Sequence, residues 1–224
     1  MKRRALLQAA GASALVWAWP AQASLAADFE TAIIRDDFVR VRELLQRGLD
    51  PNTLDSHGNP GVVRAMRNDS WRVAQVLLQA PGLRVNDANP QGETPLMLAC
   101  IKGQLDLVRE LLSLGARINQ PGWAPLHYAA SADAPHSLAI AQLLLDEHAY
   151  IDAESPNGST PLMLAAQYGS QAMVELLLNA GADVQLGNQL GLTAVDFARR
   201  SDRDYMVRIL QTAYDATRRS KATW

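Results

Sequence analysis

The sequence predicts an all-α solenoid of about six stacked helix-turn-helix units with short hairpin-like fingers between them. Three observations carry that prediction. The phrase Gly158-Ser159-Thr160-Pro161-Leu162-Met163-Leu164-Ala165-Ala166 recurs as Gly92-Glu93-Thr94-Pro95-Leu96-Met97-Leu98-Ala99-Cys100, with looser copies from Gly122 to Ala130 and from Gly191 to Val195. A recurrence at about 33 residues is the mark of a stacked array, because one such unit cannot bury its apolar face alone. Behind each phrase stands a run with apolar residues at helical spacing, then usually a glycine placed to end a helix.

Residues 1–23 read as an export signal, outside the array. Lys2-Arg3-Arg4 precedes an apolar run from Ala5 to Trp19, Pro20 breaks it, and Ala21-Gln22-Ala23 supplies the small-x-small pattern of a cleavage site. The run is shorter than the ~20 residues that span a bilayer, so no stable membrane insertion is expected once it is cut after Ala23. An ordinary secretory signal and a twin-arginine signal both fit Arg3-Arg4. Either implies a bacterial protein in the periplasm, rather than one released to the medium.

The mature region, residues 24–224, divides into units at about 27–57, 58–91, 92–121, 122–157, 158–190 and 191–217. The opening glycines, Gly58, Gly92, Gly122, Gly158 and Gly191, stand 34, 30, 36 and 33 apart. Three residues are missing between Asn119 and Gly122 and three are added around Asp133-Ala134-Pro135-His136, between helices, where an array tolerates them. In each unit a first helix follows Thr-Pro: proline suits the opening turn, and the hydroxyl of Thr94, Thr160 or Thr193 can cap it. The small pairs Ala99-Cys100, Ala129-Ala130 and Ala165-Ala166 let neighbouring helices approach and should be fully buried. Second helices carry Phe38, Val41, Leu44, Leu45; Trp71, Ala74, Leu77, Leu78; Leu105, Val108, Leu111, Leu112; Ile140, Leu143, Leu144; and Met173, Val174, Leu177, Leu178. Gly48, Gly115 and Gly181 end them in the left-handed conformation; His148 holds that place in the fourth unit at a strain of ~1 kcal/mol.

This pattern of glycine, Thr-Pro-Leu, paired small residues, leucine-rich run and closing Gly-Ala-Asp resembles the ankyrin repeat, most strongly in units three to five. Units two and six are degraded but keep register, and the first begins near Ala27 without a hairpin, with Phe29 and Ala32 at the Leu and Ala positions. The resemblance covers essentially all of the mature chain. It implies helix pairs with fingers in a curved solenoid, whose end units carry solvated charge: Arg35, Asp36, Asp37, Arg40 and Arg42 at one end, Arg199, Arg200, Asp202, Arg203 and Asp204 at the other.

Composition narrows the function. Apolar residues make up 48% and charged residues 20% of 224, with a net charge of −2; without Lys2, Arg3 and Arg4 the balance is 18 basic to 23 acidic, or −5. Such a balance gives no electrostatic reason to expect nucleic acid. Cys100 is the single cysteine, so no internal disulfide forms, and it reads as a small buried apolar residue. His57, His127, His136 and His148 lie at no metal-ligand spacing. His127 stands where ankyrin repeats often have histidine, which there orients backbone between units. No nucleophile elbow and no phosphate-binding loop occur. Glu43, Asp106 and Glu110 read as solvated outer-face carboxylates. The chain is therefore expected to be a non-enzyme without cofactor or metal, a monomer that binds another protein.

In ankyrin repeats partners dock along the finger tips and the solvent side of the first helices. Carried over residue by residue, the resemblance implies a surface of Ser56, His57, Asn59, Arg67 and Asn68; Pro90, Gln91, Glu93, Ile101 and Lys102; Trp123 and Ser131; Pro156, Asn157, Ser159, Gln167 and Tyr168; and Gln189, Leu190 and Leu192. Trp123, Tyr168 and Ile101 are the candidate anchors, with folding of Trp123 over its own shortened finger the alternative. An escort for a periplasmic enzyme, such as one handling oxidants, and an immunity-type binder are the rival roles.

Overall fold

The computed structural model describes residues 18–222, with side chains from 24 to 219. The export signal therefore lies for the most part outside the described residues. Among those described, twelve helices and no strand are present, and the chain falls into two compact units, Met1–Leu83 and Arg84–Trp224.

The first unit holds α1 (Ala18–Ile34), α2 (Phe38–Gln46), α3 (Gly61–Arg67) and α4 (Trp71–Leu78). Helix α1 already includes residues before the expected boundary at Ala27, and Pro20 does not break it; the alanine-rich stretch behind Pro20 favours helix. Phe29, Ala32 and Ile33 of α1 are buried with Val41 and Leu44 of α2 and with Val62, Val63, Ala65 and Met66 of α3. Ser70 Oγ donates to the Ile33 carbonyl at 2.6 Å, and Asp36 caps α4 from outside it by accepting from the Val73 amide at 2.9 Å.

The second unit holds four helix pairs: α5 (Pro95–Ile101) with α6 (Leu105–Ser113), α7 (Pro125–Ser131) with α8 (Ser137–Asp146), α9 (Pro161–Gln167) with α10 (Gln171–Asn179), and α11 (Ala194–Arg200) with α12 (Asp204–Ala222). First helices α5, α7, α9 and α11 stack on one another in that order. All six residues of the small pairs are fully buried, since a helix with alanine on one side lets its neighbour's backbone come close. Gly169 shows how close: a Cβ there would meet the Ala130 carbonyl oxygen at 2.5 Å. The Thr94 and Thr160 hydroxyls accept from the Met97 and Met163 amides, both at 3.4 Å. Thr193 departs from that pattern: its amide and hydroxyl donate to Asp196, at 3.0 and 2.8 Å. In α6 the buried face is Leu107, Val108 and Leu111, with Leu105 and Leu112 only half-buried. The apolar face is thus rotated from that predicted.

The fingers are tight turns, not strands. Asn89 and Asn188 each turn a side-chain oxygen onto two amides of their own finger, Gln91 and Glu93 or Leu190 and Leu192, at 2.9–3.1 Å. Asp55 does the same for His57 and Asn59 in the first unit. An oxygen two residues before the turn satisfies amides that a finger too short for a ladder would leave orphaned.

A second set of bonds joins successive helix pairs along the opposite edge. Asn86 Nδ2 donates to the Gly115 carbonyl at 3.1 Å while its Oδ1 accepts from the Arg117 amide at 2.7 Å. Asn119 repeats this with the His148 carbonyl (2.9 Å) and the Tyr150 amide (2.8 Å). Asp152 stands next in the series and accepts from the Asp183 amide at 3.1 Å. A carboxylate has no N–H for the Gly181 carbonyl that follows in register. Burial, first, and then the nearby Asp183 charge raise the Asp152 pKa, against the hydrogen bond from the Asp183 amide. His148 is left-handed at φ 64°, as its place in the repeat requires.

Arg203 corrects the reading of the last unit as solvated charge. Its guanidinium is half-buried and donates to the carbonyls of Ala165 (3.3 Å), Ala166 (3.0 Å) and Gly169 (2.5 Å). It occupies the C-terminus of α9, whose last carbonyls lack intrahelical donors and attract a cation.

Candidate binding groove

Four phrase positions, the second, seventh, tenth and eleventh, supply most of one groove on the second unit, and apart from the leucine shared by Leu98 and Leu164 the copies differ at them. Glu93 and Trp123 fill the second; Tyr128 and Leu164, the seventh; Ile101 and Ser131, the tenth; Tyr168, the eleventh. These seven residues and His127 line one groove of about 410 Å³ across α5, α7 and α9.

Trp123 forms its corner. Its ring meets the His127 ring at 5.4 Å and 80° and the Tyr128 ring at 6.5 Å and 85°, both edge-to-face. Trp123 thus packs on its own helix and lines the groove at once. Tyr168 stands across from it with 58% of its surface exposed. The Glu93 carboxylate is held by Asn89 Nδ2 at 2.7 Å and lies 3.5 Å from the Tyr128 hydroxyl.

His127 is the fully buried pivot beneath these groups. Nδ1 accepts from the Ala124 amide at 3.1 Å, so Nε2 carries the proton and donates to the Ser159 carbonyl at 3.0 Å. Burial lowers its pKa below the usual histidine value, against the opposing hydrogen bonds. A neutral imidazole tying one unit's helix start to the next unit's finger is the structural role expected for it. Cys100 is fully buried and burial pushes its thiol far up, which leaves it inert as a nucleophile. Among the described residues no cluster of three or more His, Cys, Asp or Glu could hold a metal ion, and no helix is long and apolar enough to cross a membrane.

The groove brings together five of the predicted contact residues: Glu93, Ile101, Trp123, Ser131 and Tyr168. Pro90, Gln91, Pro156, Asn157, Gln189 and Leu190 are exposed on finger tips, Leu190 at 79%; Gln167 and Leu192 are half-buried. Lys102 lines a neighbouring cleft with Asp106, Arg109 and His136. Ser56, His57 and Asn59, with Arg67 and Asn68, belong to the first unit, where all but the half-buried Asn59 are exposed. Ser159 overturns its prediction: 1% of it is exposed, because its amide is drawn onto Ser155 Oγ at 3.0 Å and its hydroxyl lies under Asn188 Nδ2 at 3.5 Å. Tyr128 and Leu164 are the lining residues that sequence reasoning missed. The tyrosine at a place held by leucine in the units before and after it, Leu98 and Leu164, was the available signal.

The family model described as ankyrin repeats (3 copies) matches residues 62–154 and 126–220. Neurogenic locus notch homolog protein 1 of Xenopus tropicalis is 38% identical over 117 residues, which is 50% of this chain and 4% of that protein. Neurogenic locus notch homolog protein 4 of Homo sapiens is 45% identical over 96 residues, 41% of this chain and 5% of that protein. The match thus spans only a small part of those relatives' own length. Among solved structures, a chain of the complex of the Bdellovibrio bacteriovorus predatory endopeptidase Bd0816 with immunity protein Bd3460 superposes with a TM-score of 0.70 at 24% identity, covering 83% of this chain and 97% of that one. At that identity the likeness is one of fold.

Proposed function

This chain belongs to the ankyrin repeat family, and from that premise we propose that it is a non-catalytic binding module, exported to the periplasm, that holds a partner protein in the groove of Glu93, Ile101, Trp123, Tyr128 and Tyr168. Ankyrin repeats are protein-protein interaction units. The observation that carries the site is that Trp123, Tyr128 and Tyr168, each of which differs from its counterparts in the sister phrases, converge on one groove over a buried scaffold. Large rings in a partly desolvated pocket are the residues that anchor interfaces.

Export rests on the charged start, short apolar run and small-residue end of residues 1–23. Residues 1–23 are fused to alkaline phosphatase, which folds only outside the cytoplasm and reports the ordinary secretory route, and to green fluorescent protein, which folds inside it and reports the twin-arginine route: failure of both fusions to reach the periplasm in active form refutes export. Replacing Arg3 and Arg4 by lysine separates the two routes, since only the twin-arginine route is lost.

Binding is tested with a photo-crosslinking residue at Tyr168 in the full chain, expressed in its own host. A partner captured at Tyr168 and lost on Trp123→Ala supports the groove; capture that is indifferent to Trp123→Ala refutes it. An immunity-type role is the second reading, favoured by the fold neighbour, which is seen in complex with an endopeptidase. In that case the captured partner is a hydrolase, and the purified chain inhibits it. The escort role has no comparable observation behind it.

A further inference from the structure

We infer that His127 is an acid-sensitive latch on the groove: with its ring neutral the fourth finger keeps Trp123 in the corner, and a proton taken up on Nδ1 releases that finger and weakens the grip on a partner. The partner half of this statement rests on the groove being the binding site; the latch itself does not.

The fourth finger has little else to fasten it. In the third, fifth and sixth fingers two backbone bonds of 2.7–3.0 Å close the turn, as the Asn89 amide to the Glu93 carbonyl and the Gly92 amide to the Asn89 carbonyl do in the third. Among the described residues neither bond has a counterpart in the fourth. The cause lies in the sequence. Three residues are missing before Gly122, so Asn119, three places ahead of that glycine as Asn89 is ahead of Gly92, is committed to the inter-unit bonds with His148 and Tyr150. Ala124 stands where Thr94 and Thr160 cap their helices, and it has no hydroxyl to offer. Within the finger Gln120 Nε2 donates to the Trp123 carbonyl at 2.9 Å. The Ala124 amide on His127 Nδ1 and the edge-to-face contact of the Trp123 and His127 rings then join its end to α7.

Units three and five hang the same amide on a group that does not titrate: the Thr94 and Thr160 amides donate to the sulfurs of Met97 and Met163, both at 3.4 Å. Nδ1 of a neutral imidazole accepts in the same way, but once protonated it is a donor. N–H would then face N–H, and a charge would lie buried away from water. The titratable groups on the groove wall around the ring are Glu93 from the third finger, Tyr128 on its own helix and Tyr168 beyond α9; α5 brings Ile101 to that wall and α8 brings nothing. Asp152 and Glu154 flank Ala153, whose backbone also bonds the ring. Burial prevails over the hydrogen bonds and holds the latched ring below its ordinary value of 6.5. A ring freed into water regains that value and binds a proton more readily, so the latch is complete above 6.5 and weakens as pH falls toward the depressed value. Between pH 7.5 and 5.5 one such proton moves the balance of open to latched finger by up to about tenfold.

The test follows the Trp123 indole N–H of the full mature chain from pH 7.5 to 5.0, assigned through Trp123→Phe. Beside it stand His127→Met, which carries the residue of units three and five, and His127→Gln, whose amide accepts and donates as the neutral ring does. With His127 present the Trp123 signal should move with a one-proton midpoint below 6.5, while the Trp71 signal and the helical circular dichroism stay constant; in the two variants it should stay still. A Trp123 signal that is flat to pH 5.0, that moves equally in the variants, or that moves only together with Trp71 and loss of helix overturns the latch. The grip on a partner is read with the photo-crosslinking residue at Tyr168, as the ratio of capture at pH 5.5 to capture at pH 7.5. That ratio should fall severalfold with His127 present and stay near one in the variants. A ratio near one throughout, or one that falls alike in all, overturns the regulation and leaves the groove as a docking site. Absence of capture at pH 7.5 overturns the groove reading, and the Trp123 titration still decides the latch.

Discussion

Replacing Asp152 by asparagine is expected to stabilise the second unit. Asn86 and Asn119 each make two bonds at this place in the series, accepting an amide and donating to a carbonyl. Asp152 keeps the acceptor, with the Asp183 amide at 3.1 Å, and lacks the donor for Gly181. Asp152→Asn adds that donor, a net gain of about 0.5–1.5 kcal/mol for a hydrogen bond in a partly buried setting. It also removes a carboxylate disfavoured by burial and by Asp183, at the loss of some charge assistance in the retained bond; the raised pKa shows that the charged form is the disfavoured one. In a chain of this size the gain corresponds to about 2–4 °C in melting temperature per kcal/mol. The pH dependence follows from the direction of the shift. Folded Asp152 binds its proton more readily than the unfolded chain, so the wild-type penalty is fully present above the folded pKa and vanishes below the unfolded value of 3.8. Urea melts of both proteins at pH 7 and near pH 4 should therefore show a gap that narrows on acidification. A variant no more stable at pH 7, or a gap that stays constant with pH, would refute the reasoning.

The remaining predictions concern the core and its closure. Leu111→Ala, at a fully buried position, should cost about 2–5 kcal/mol, and an unchanged urea midpoint would contradict the register assigned to α6. Gly169→Ala forces a methyl against the Ala130 carbonyl and should cost about 1–3 kcal/mol, read from the same melts. His127 binds protons less readily folded than unfolded, so its contribution is complete above its ordinary value of 6.5 and is lost as pH falls through its depressed folded value. Stability should decline on acidification below pH 6.5, and His127→Gln should flatten that decline; equal slopes in the two proteins would exclude His127 as its source. Arg203→Met removes the guanidinium from the Ala165, Ala166 and Gly169 carbonyls at the end of α9, of which Ala165 keeps a backbone donor, and should raise amide exchange in α9 and α12 before that in α5.

The repeat phrase made the fold legible because stacking imposes the same demand on every unit: Ala165 and Ala99 are alanine for one reason and are buried alike. Register within a helix was less legible. Leu105 and Leu107 are both leucine, so side-chain type alone could not say which faces inward. Position in the phrase misled at Ser159, where the structural neighbours of that finger, Ser155 and Asn188, lie outside the phrase and pull the chain under cover. Arg203 was misread for a related reason: its partners are backbone carbonyls 34 to 38 residues away, and a carbonyl leaves no trace in residue types. The groove was half legible, since its anchors were visible as exposed aromatics, but the ring of Tyr128 joined them only once α7 had a direction.

Within the second compact unit the bonds between successive helix pairs fall at Asn86, Asn119 and Asp152, evenly 33 residues apart, and Gln185 continues the count. Along the finger side the same chain runs unevenly, 30 residues from Gly92 to Gly122 and then 36 to Gly158. The three residues lost before Gly122 and the three gained around Pro135 cancel between one ladder residue and the next. The molecule therefore keeps time on one edge and varies its measure on the other. Length can be moved from a finger to the turn between helices without disturbing the beat of the stack, so the shape of the groove around Trp123 is free to change while the scaffold that carries it stays in phase.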